Sequence, residues 1–287
     1  MSQTENLKSR ITRSLDTLSP KQKKIARYIL DNLYLTSYIS ANELGEKNKT
    51  TAATVVRFSQ TLGYDGYTQL QDALRAELPN FITTTARMKK RMSAETPPHS
   101  NPQQVFYTDI KNIERMAGNI SKESLNEALD KIINAQRIWV TGAGLSYAPA
   151  HFLTHSLKVM GFDAQSLQSE ILQSEVDLSR IKPEDLLIAI DLWRYVRRTV
   201  NAVSHAKKTG TQVIAITDSI VSPLAQMADI SFEVATEGLA HSLSITALFS
   251  LLNVFIAMLA DRVPEQVYES LKRVDEIYQG NGLLIIP

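Results

Sequence analysis

Three stretches of this chain combine residue types that could do chemistry. The first is Val140-Thr141-Gly142-Ala143-Gly144-Leu145-Ser146, two glycines between an apolar run and a helical pattern. Glycine lets a backbone approach a ligand closely, and a helix start offers free N–H groups and the positive end of its dipole, so a phosphate or carboxylate suits the place. A dinucleotide would call for a small residue at Tyr147 and an acid closing the next strand, but Asp163 precedes that strand. A plain tight strand-to-helix turn is the simpler alternative. The second is Glu237 with His241, four apart near the start of an expected helix and so on one face of it. Such a pair could move protons, although a structural pair or polar contacts to a small ligand account for it better. His151 and His155 are also four apart, but no third metal ligand accompanies them.

The third stretch runs from Ser40 to Tyr64. Ser40-x-x-Glu43 is a capping box that opens a short helix reaching about Lys47, and Thr51 caps a second helix from Ala52 to about Leu62. On the second helix Val55, Phe58, Ser59 and Leu62 share the side that can be buried. Ala53, Thr54, Arg57 and Gln60 lie on the others. Small residues at a helix start permit entry into a DNA groove, and Arg57 has the reach for a guanine edge or a phosphate. Lys47, Lys49 and Thr50 in the turn, with the cap Thr51, are placed for backbone phosphates. A helical hairpin with a solvated polar face would show much the same pattern.

Around these stretches the periodicity divides the chain. Helices are expected over Asn6–Leu18, Lys21–Asn32 and Thr68–Leu78 in addition to the pair above, making residues 1–78 an all-helical domain. Residues 79–104 read as a linker, with a basic Met88-Lys89-Lys90-Arg91 and three prolines within Glu95–Pro102. Residues 105–287 form the second domain. Helical periodicity over 105–135 gives way to short apolar strands at Arg137–Thr141, Asp163–Leu167, Asp185–Ile190, Thr211–Thr217 and Ile230–Val234. Helices are expected between and after them at Ser146–Met160, Arg197–Thr209, Pro223–Ala228, Leu239–Ala260 and Pro264–Tyr278. Alternation of this kind means a parallel sheet covered on both faces.

The net charge of +1 conceals an asymmetry: residues 1–91 hold 15 Lys/Arg against 8 Asp/Glu, and residues 92–287 hold 16 against 22. A basic domain joined to an acidic one points to a polyanionic partner for the first alone. The absence of cysteine excludes disulfides and thiolate metal sites. No secretory signal and no run of about 18 apolar residues is present, which places the protein in the cytoplasm and away from membranes. No metal and no cofactor are expected.

Thr54-Val55-Val56-Arg57-Phe58 followed by Leu62-Gly63-Tyr64-x-Gly66-Tyr67 resembles the N-terminal domain of RpiR-type bacterial transcriptional regulators over roughly residues 5–78. The resemblance implies a five-helix, homeodomain-like domain without a wing, its DNA helix at about 51–62. The family usually has Gly, an aliphatic residue and Ser where this chain has Lys49, Thr50 and Thr51. Over roughly 125–265 the chain resembles a SIS (sugar isomerase) domain, through Gly142-x-Gly144-x-Ser146, Val213-Ile214-Ala215-Ile216-Thr217-Asp218-Ser219, Ser222-Pro223-Leu224 and Ala228-Asp229. This implies a doubly wound five-stranded parallel sheet, dimerisation, and a phosphosugar at the carboxyl ends of the strands, with Leu145, Thr217 and Asp218 near it.

One departure stands out. Most SIS domains have a Ser-x-Ser-Gly-x-Thr phosphate loop after the third strand. This chain has Asp191-Leu192-Trp193-Arg194-Tyr195-Val196-Arg197-Arg198. Guanidinium groups can replace hydroxyls on an anion, and Trp193 and Tyr195 can stack on a ligand or pack. The expected effector is therefore a small anionic metabolite, a phosphosugar or a carboxylate, with Arg194 as its main ligand and Asp191, Tyr195 and Arg197 close by. The leading reading is a ligand-controlled regulator of a bacterial metabolic operon that binds double-stranded operator DNA as a homodimer or tetramer. A sugar-phosphate isomerase with a helical appendage is the alternative, and a weakly specific DNA binder with a vestigial ligand domain is a third.

Overall fold

The computed structural model describes residues 7–15, 17–37, 39–77, 84–92, 102–167, 171–239 and 241–281. The chain divides into two compact units, Met1–Ala86 and Arg87–Pro287.

The first unit is all-helical: α1 (Leu7–Ser14), α2 (Pro20–Asp31), α3 (Leu33–Thr36), α4 (Ala41–Lys47), α5 (Ala52–Thr61) and α6 (Tyr67–Glu77). Ser40, the cap expected from the sequence, and Ser19 before α2 both form reciprocal boxes, with Glu43 and Gln22 respectively, so each satisfies two N–H groups that a helix start leaves over. One element exceeds the five helices the resemblance implies. The single turn α3 is held in place because Tyr67 and Gln71 of α6 donate to the carbonyls of Thr36 and Ile39. Burial of that Tyr67 hydroxyl raises its pKa. Ile11, Ile25, Ile29, Leu44, Val55, Phe58, Leu70 and Leu74 make the core and are fully buried.

In the second unit α7 (Thr84–Met92) reaches back across the unit boundary, and α8 (Pro102–Asn119) and α9 (Lys122–Asn134) precede the sheet. The segment read as a linker thus carries α7 and the first turn of α8. Residues 78–83 and 93–101 lie outside the described residues. The strands are β1 (Ile138–Gly142), β2 (Ala164–Ser166), β3 (Leu186–Ile190), β4 (Gln212–Thr217) and β5 (Ile230–Glu233), all parallel, in the order β2-β1-β3-β4-β5. Between and after them come α10 (Tyr147–Val159), α11 (Ile171–Leu178), α12 (Arg197–Thr209), α13 (Thr246–Arg262) and α14 (Pro264–Gly280). One core, around Leu129, Val140, Leu153, Ile188, Ile214 and Phe255, fills one face of the sheet, and another, around Trp139, Leu187, Val203 and Val213, fills the other. This is the doubly wound sheet that the strand pattern implies.

Two helix expectations need correction. Residues Pro223–Ala228 form turns rather than a helix, with Ser222 Oγ accepting from Ala225 N at 3.1 Å. The helix expected from Leu239 begins only at Thr246, because the preceding backbone folds tightly on itself. A Cβ on Gly238 would lie 2.7 Å from the Ser242 carbonyl oxygen. α8 clamps that segment: Asn112 exchanges two hydrogen bonds with the backbone of Glu237, and Asp109 accepts from the Ser244 and Thr246 hydroxyls. No single helix among the described residues is long and apolar enough to cross a membrane.

Candidate functional site

In the first unit α5 buries Val55, Phe58 and Ser59 and exposes Ala53, Arg57 and Gln60. Thr51 is the N-cap: its hydroxyl accepts from Thr54 N and lies 3.1 Å from the half-buried Thr54 Oγ1. The turn between α4 and α5 is closed by Asn48 Nδ2 donating to Leu44 O and Thr50 N donating to Gly45 O, both at 2.8–2.9 Å. Lys47 and Lys49 are exposed, while the Thr50 hydroxyl turns inward and has no partner among the described residues. Lys49 has φ +53°, the left-handed region that favours glycine. The turn keeps the geometry a glycine would give it and carries a cation there instead. Lys49→Gly is therefore expected to stabilise the protein by about 0.5–1 kcal/mol in urea unfolding. The same change should weaken binding to DNA of any sequence, as loss of one phosphate contact does.

In the second unit the strand order reverses between β1 and β3, and ligands of open α/β sheets sit outside the strand ends at such a point. A cavity of about 460 Å³ lies there, between Gly142, Gly144 and Tyr147 on one side and Val196, Arg198 and Thr199 on the other. The two glycines have different duties. A Cβ on Gly142 would lie 2.4 Å from Ser146 O and 2.9 Å from Ala150 Cβ, whereas Gly144 has φ +57° with open space beside it. Ser146 is buried, and its hydroxyl accepts from Leu192 N at 3.3 Å, which joins the β1 and β3 loops.

Asp191 follows β3 and is buried. Its carboxylate accepts from Val196 N at 2.7 Å and so holds the start of α12. Burial pushes the Asp191 carboxyl up to about 7, helped by the charge of Asp218 and opposed by the N–H of Val196 and the Thr199 hydroxyl. Asp218 follows β4, and burial raises it also, although it accepts from the Tyr195 hydroxyl at 2.8 Å. Trp193 and Tyr195 meet edge to face, their ring centres 5.6 Å apart, so these rings pack on one another within the loop. Arg198 and Thr199 occupy the first turn of α12, where N–H groups are unspent by the helix. The Arg198 Nε–H donates to Ser174 Oγ on α11 at 3.1 Å, which steadies the guanidinium beside the cavity.

The helix-turn-helix domain of the rpiR family matches residues 5–80, and the SIS domain matches residues 131–258. The sugar isomerase domain of an RpiR transcription factor from Sphaerobacter thermophilus is 37% identical to this chain. The match has a TM-score of 0.59 and covers 61% of this chain and 98% of that one. This chain belongs to the RpiR family. It is a DNA-binding transcriptional regulator. The HTH-type regulator YfhH of Escherichia coli is 28% identical over 83% of this chain and 85% of its own. The Vibrio vulnificus NanR protein, solved in complex with ManNAc-6P, shares the fold over 95% of this chain and 98% of its own, with a TM-score of 0.60 at 22% identity.

Within this RpiR-family framework the expected effector residues separate into groups. Gly142 and Gly144 line the cavity. Ser146 and Asp191 brace its walls, and the half-buried Tyr195 pairs with the buried Asp218 next to Asp191. Leu145, Arg194 and Arg197 are exposed outside the lining, and Trp193 packs on Tyr195. Thr217 is buried at the end of β4, its hydroxyl without a hydrogen-bond partner among the described residues. Glu237 and His241 do not share a helix face. They are exposed in the irregular segment before α13, because the Gly238 turn and the α8 clamp delay that helix. Sequence reasoning missed Arg198 and Thr199. The signal was the helix start at Arg197, since the second and third residues of a helix direct their groups at whatever lies before it. Among the described residues no three His, Cys, Asp or Glu side chains could hold a metal.

Proposed function

We propose that this regulator binds a small anionic metabolite, a phosphosugar or a carboxylate, in the cavity between Gly142–Gly144 and Val196–Thr199. Occupancy there changes the affinity of the α4–α5 pair for the operator of a metabolic operon. The observation that carries the reading is the pairing of the Arg198 guanidinium with the first turn of α12 at the strand-order reversal. These groups supply positive charge and donors where the loop has no serine or glycine. The phosphosugar in the NanR complex supports the ligand class. Arg194, in the same loop and exposed, is the outer contact, and Lys47, Lys49, Thr51, Ala53, Thr54, Arg57 and Gln60 form the DNA face. The regulator works in the cytoplasm as a homodimer or tetramer and turns over no substrate. Control requires that the DNA-competent and DNA-incompetent states differ in ligand affinity.

The ligand half is tested by thermal shifts with inorganic phosphate and a panel of sugar phosphates. Arg198→Ala is expected to weaken binding about 10–100-fold, the loss of a charge-assisted hydrogen bond. An unchanged shift for a ligand that binds wild type would remove Arg198 from the site. The DNA half is tested with a fragment selected from genomic DNA. Arg57→Ala is expected to cost about 1–3 kcal/mol on that fragment and less on random duplex if Arg57 reads a base. Equal loss on both would make it a phosphate contact.

A further inference from the structure

The first five residues of α2, Pro20 to Lys24, carry Lys21, Lys23 and Lys24 and no acid. Cations at a helix start oppose the dipole, so the position does not favour them on grounds of folding. Lys21 and Lys24 are exposed, Lys23 is half-buried, and none of the three forms an ion pair among the described residues.

Their placement relative to α5 gives them a use. Thr54, Arg57 and Thr61 recur at intervals of three and four and form one stripe along α5. Gln22, at the third position of α2, donates from Nε2 to Thr61 Oγ1 at 2.9 Å. The same Gln22 closes the capping box with Ser19, so the first turn of α2 is tied to the end of the stripe. Side chains there point back beyond the helix start. At the same end, Arg10 of α1 donates to Leu62 O at 3.3 Å and lies over the Tyr64 ring. A helix lying in the major groove has phosphates along both walls, and whatever flanks its end meets one wall.

We propose that Lys21, Lys23 and Lys24 are a second phosphate-binding surface, which grips the DNA backbone beside the end of α5 without reading sequence. The inference rests on the DNA-binding function and adds a contact outside the helix-turn-helix pair. Gln22 is its positioning residue.

The test uses the full-length protein and a random-sequence duplex of about 30 base pairs, with affinity followed against salt. The triple variant Lys21→Gln, Lys23→Gln, Lys24→Gln is compared with wild type and with Lys208→Gln, an exposed lysine of the second unit. The slope of log affinity against log salt is expected to become shallower by about 0.9 for each phosphate given up, so by about 1 to 3 in all, with Lys208→Gln unchanged. Arg57→Ala is measured alongside. A triple variant with the wild-type slope and affinity on a duplex that wild type binds overturns this surface and leaves the DNA-binding function intact. Wild type that binds no duplex overturns both. Thermal melting is expected to be unchanged or raised, because the substitutions remove cations from a helix start. Should the triple variant not fold, the single variants Lys21→Gln and Lys24→Gln are read in its place, each expected to lower the slope by up to about 0.9.

Discussion

Replacing Gly142 with alanine is expected to destabilise the second unit by about 3 kcal/mol, whereas alanine at Gly144, two residues on, should cost about 1 kcal/mol. The two glycines look alike in the Gly142-x-Gly144-x-Ser146 string, yet physically they differ. At 142 an added Cβ would sit 2.4 Å from the Ser146 carbonyl oxygen and 2.9 Å from Ala150 Cβ. Neither neighbour is a flexible side-chain end, so α10 itself would have to move off β1, and that closely packed contact joins the cavity wall to the sheet. At 144 only the positive φ is at stake, and the space beside it is open. Both tryptophans, Trp139 and Trp193, belong to the second unit. Urea unfolding followed by their fluorescence therefore isolates the unit concerned. Equal midpoints for the two variants would show that the β1–α10 approach is not what Gly142 serves.

The second large effect is a dependence of stability on pH that Asp191→Asn is expected to reduce. An aspartate in an unfolded chain titrates near 3.9, while Asp191, 1% exposed, is raised to about 7 by burial. The folded state therefore binds this proton more tightly than the unfolded state does. The stabilisation is fully present below about pH 4, declines as pH rises, and is gone above about pH 7, an interval of about 4 kcal/mol at 1.36 kcal/mol per pH unit. Asparagine keeps an oxygen that can accept from Val196 N and never carries the charge. As pH rises from about 4 to 7 wild type should lose stability more steeply than the variant, in which Asp218 alone of the pair keeps a raised carboxyl, by the same fluorescence measurement. Parallel curves would place the titration elsewhere, Asp218 being the neighbour to examine next. The same linkage bears on the effector. An anion bound beside a charged Asp191 is repelled, so as pH rises through 7 phosphate affinity should fall in wild type relative to Asp191→Asn.

Much of the architecture was legible in the residues because it depends on local rules. The Ser40 box, the buried face of α5 and the five apolar strands all follow from periods of 3.6 and 2 and from groups that must be hydrogen-bonded nearby. The helix expected at Leu239 failed for a non-local reason. Its apolar residues have helical spacing, but Asn112 and Asp109, more than 100 residues earlier, hold the preceding backbone in another shape. Lys49 is intermediate: the turn was visible, but only the surrounding packing shows that a lysine bears the left-handed conformation.

By itself, then, the sequence determined the two kinds of domain, their order, the face of α5 that is buried and the glycine turn that follows β1. Each of these is written in spacings of a few residues. Which arginine of Asp191–Arg198 lines the cavity, and whether Glu237 and His241 stand together, was decided only by the tertiary structure. Those answers depend on where α12 and α13 start, and the starts are set by a buried carboxylate after β3 and by side chains of α8. Neighbours in the chain do not encode them, because the groups that settle them come from other elements of the fold.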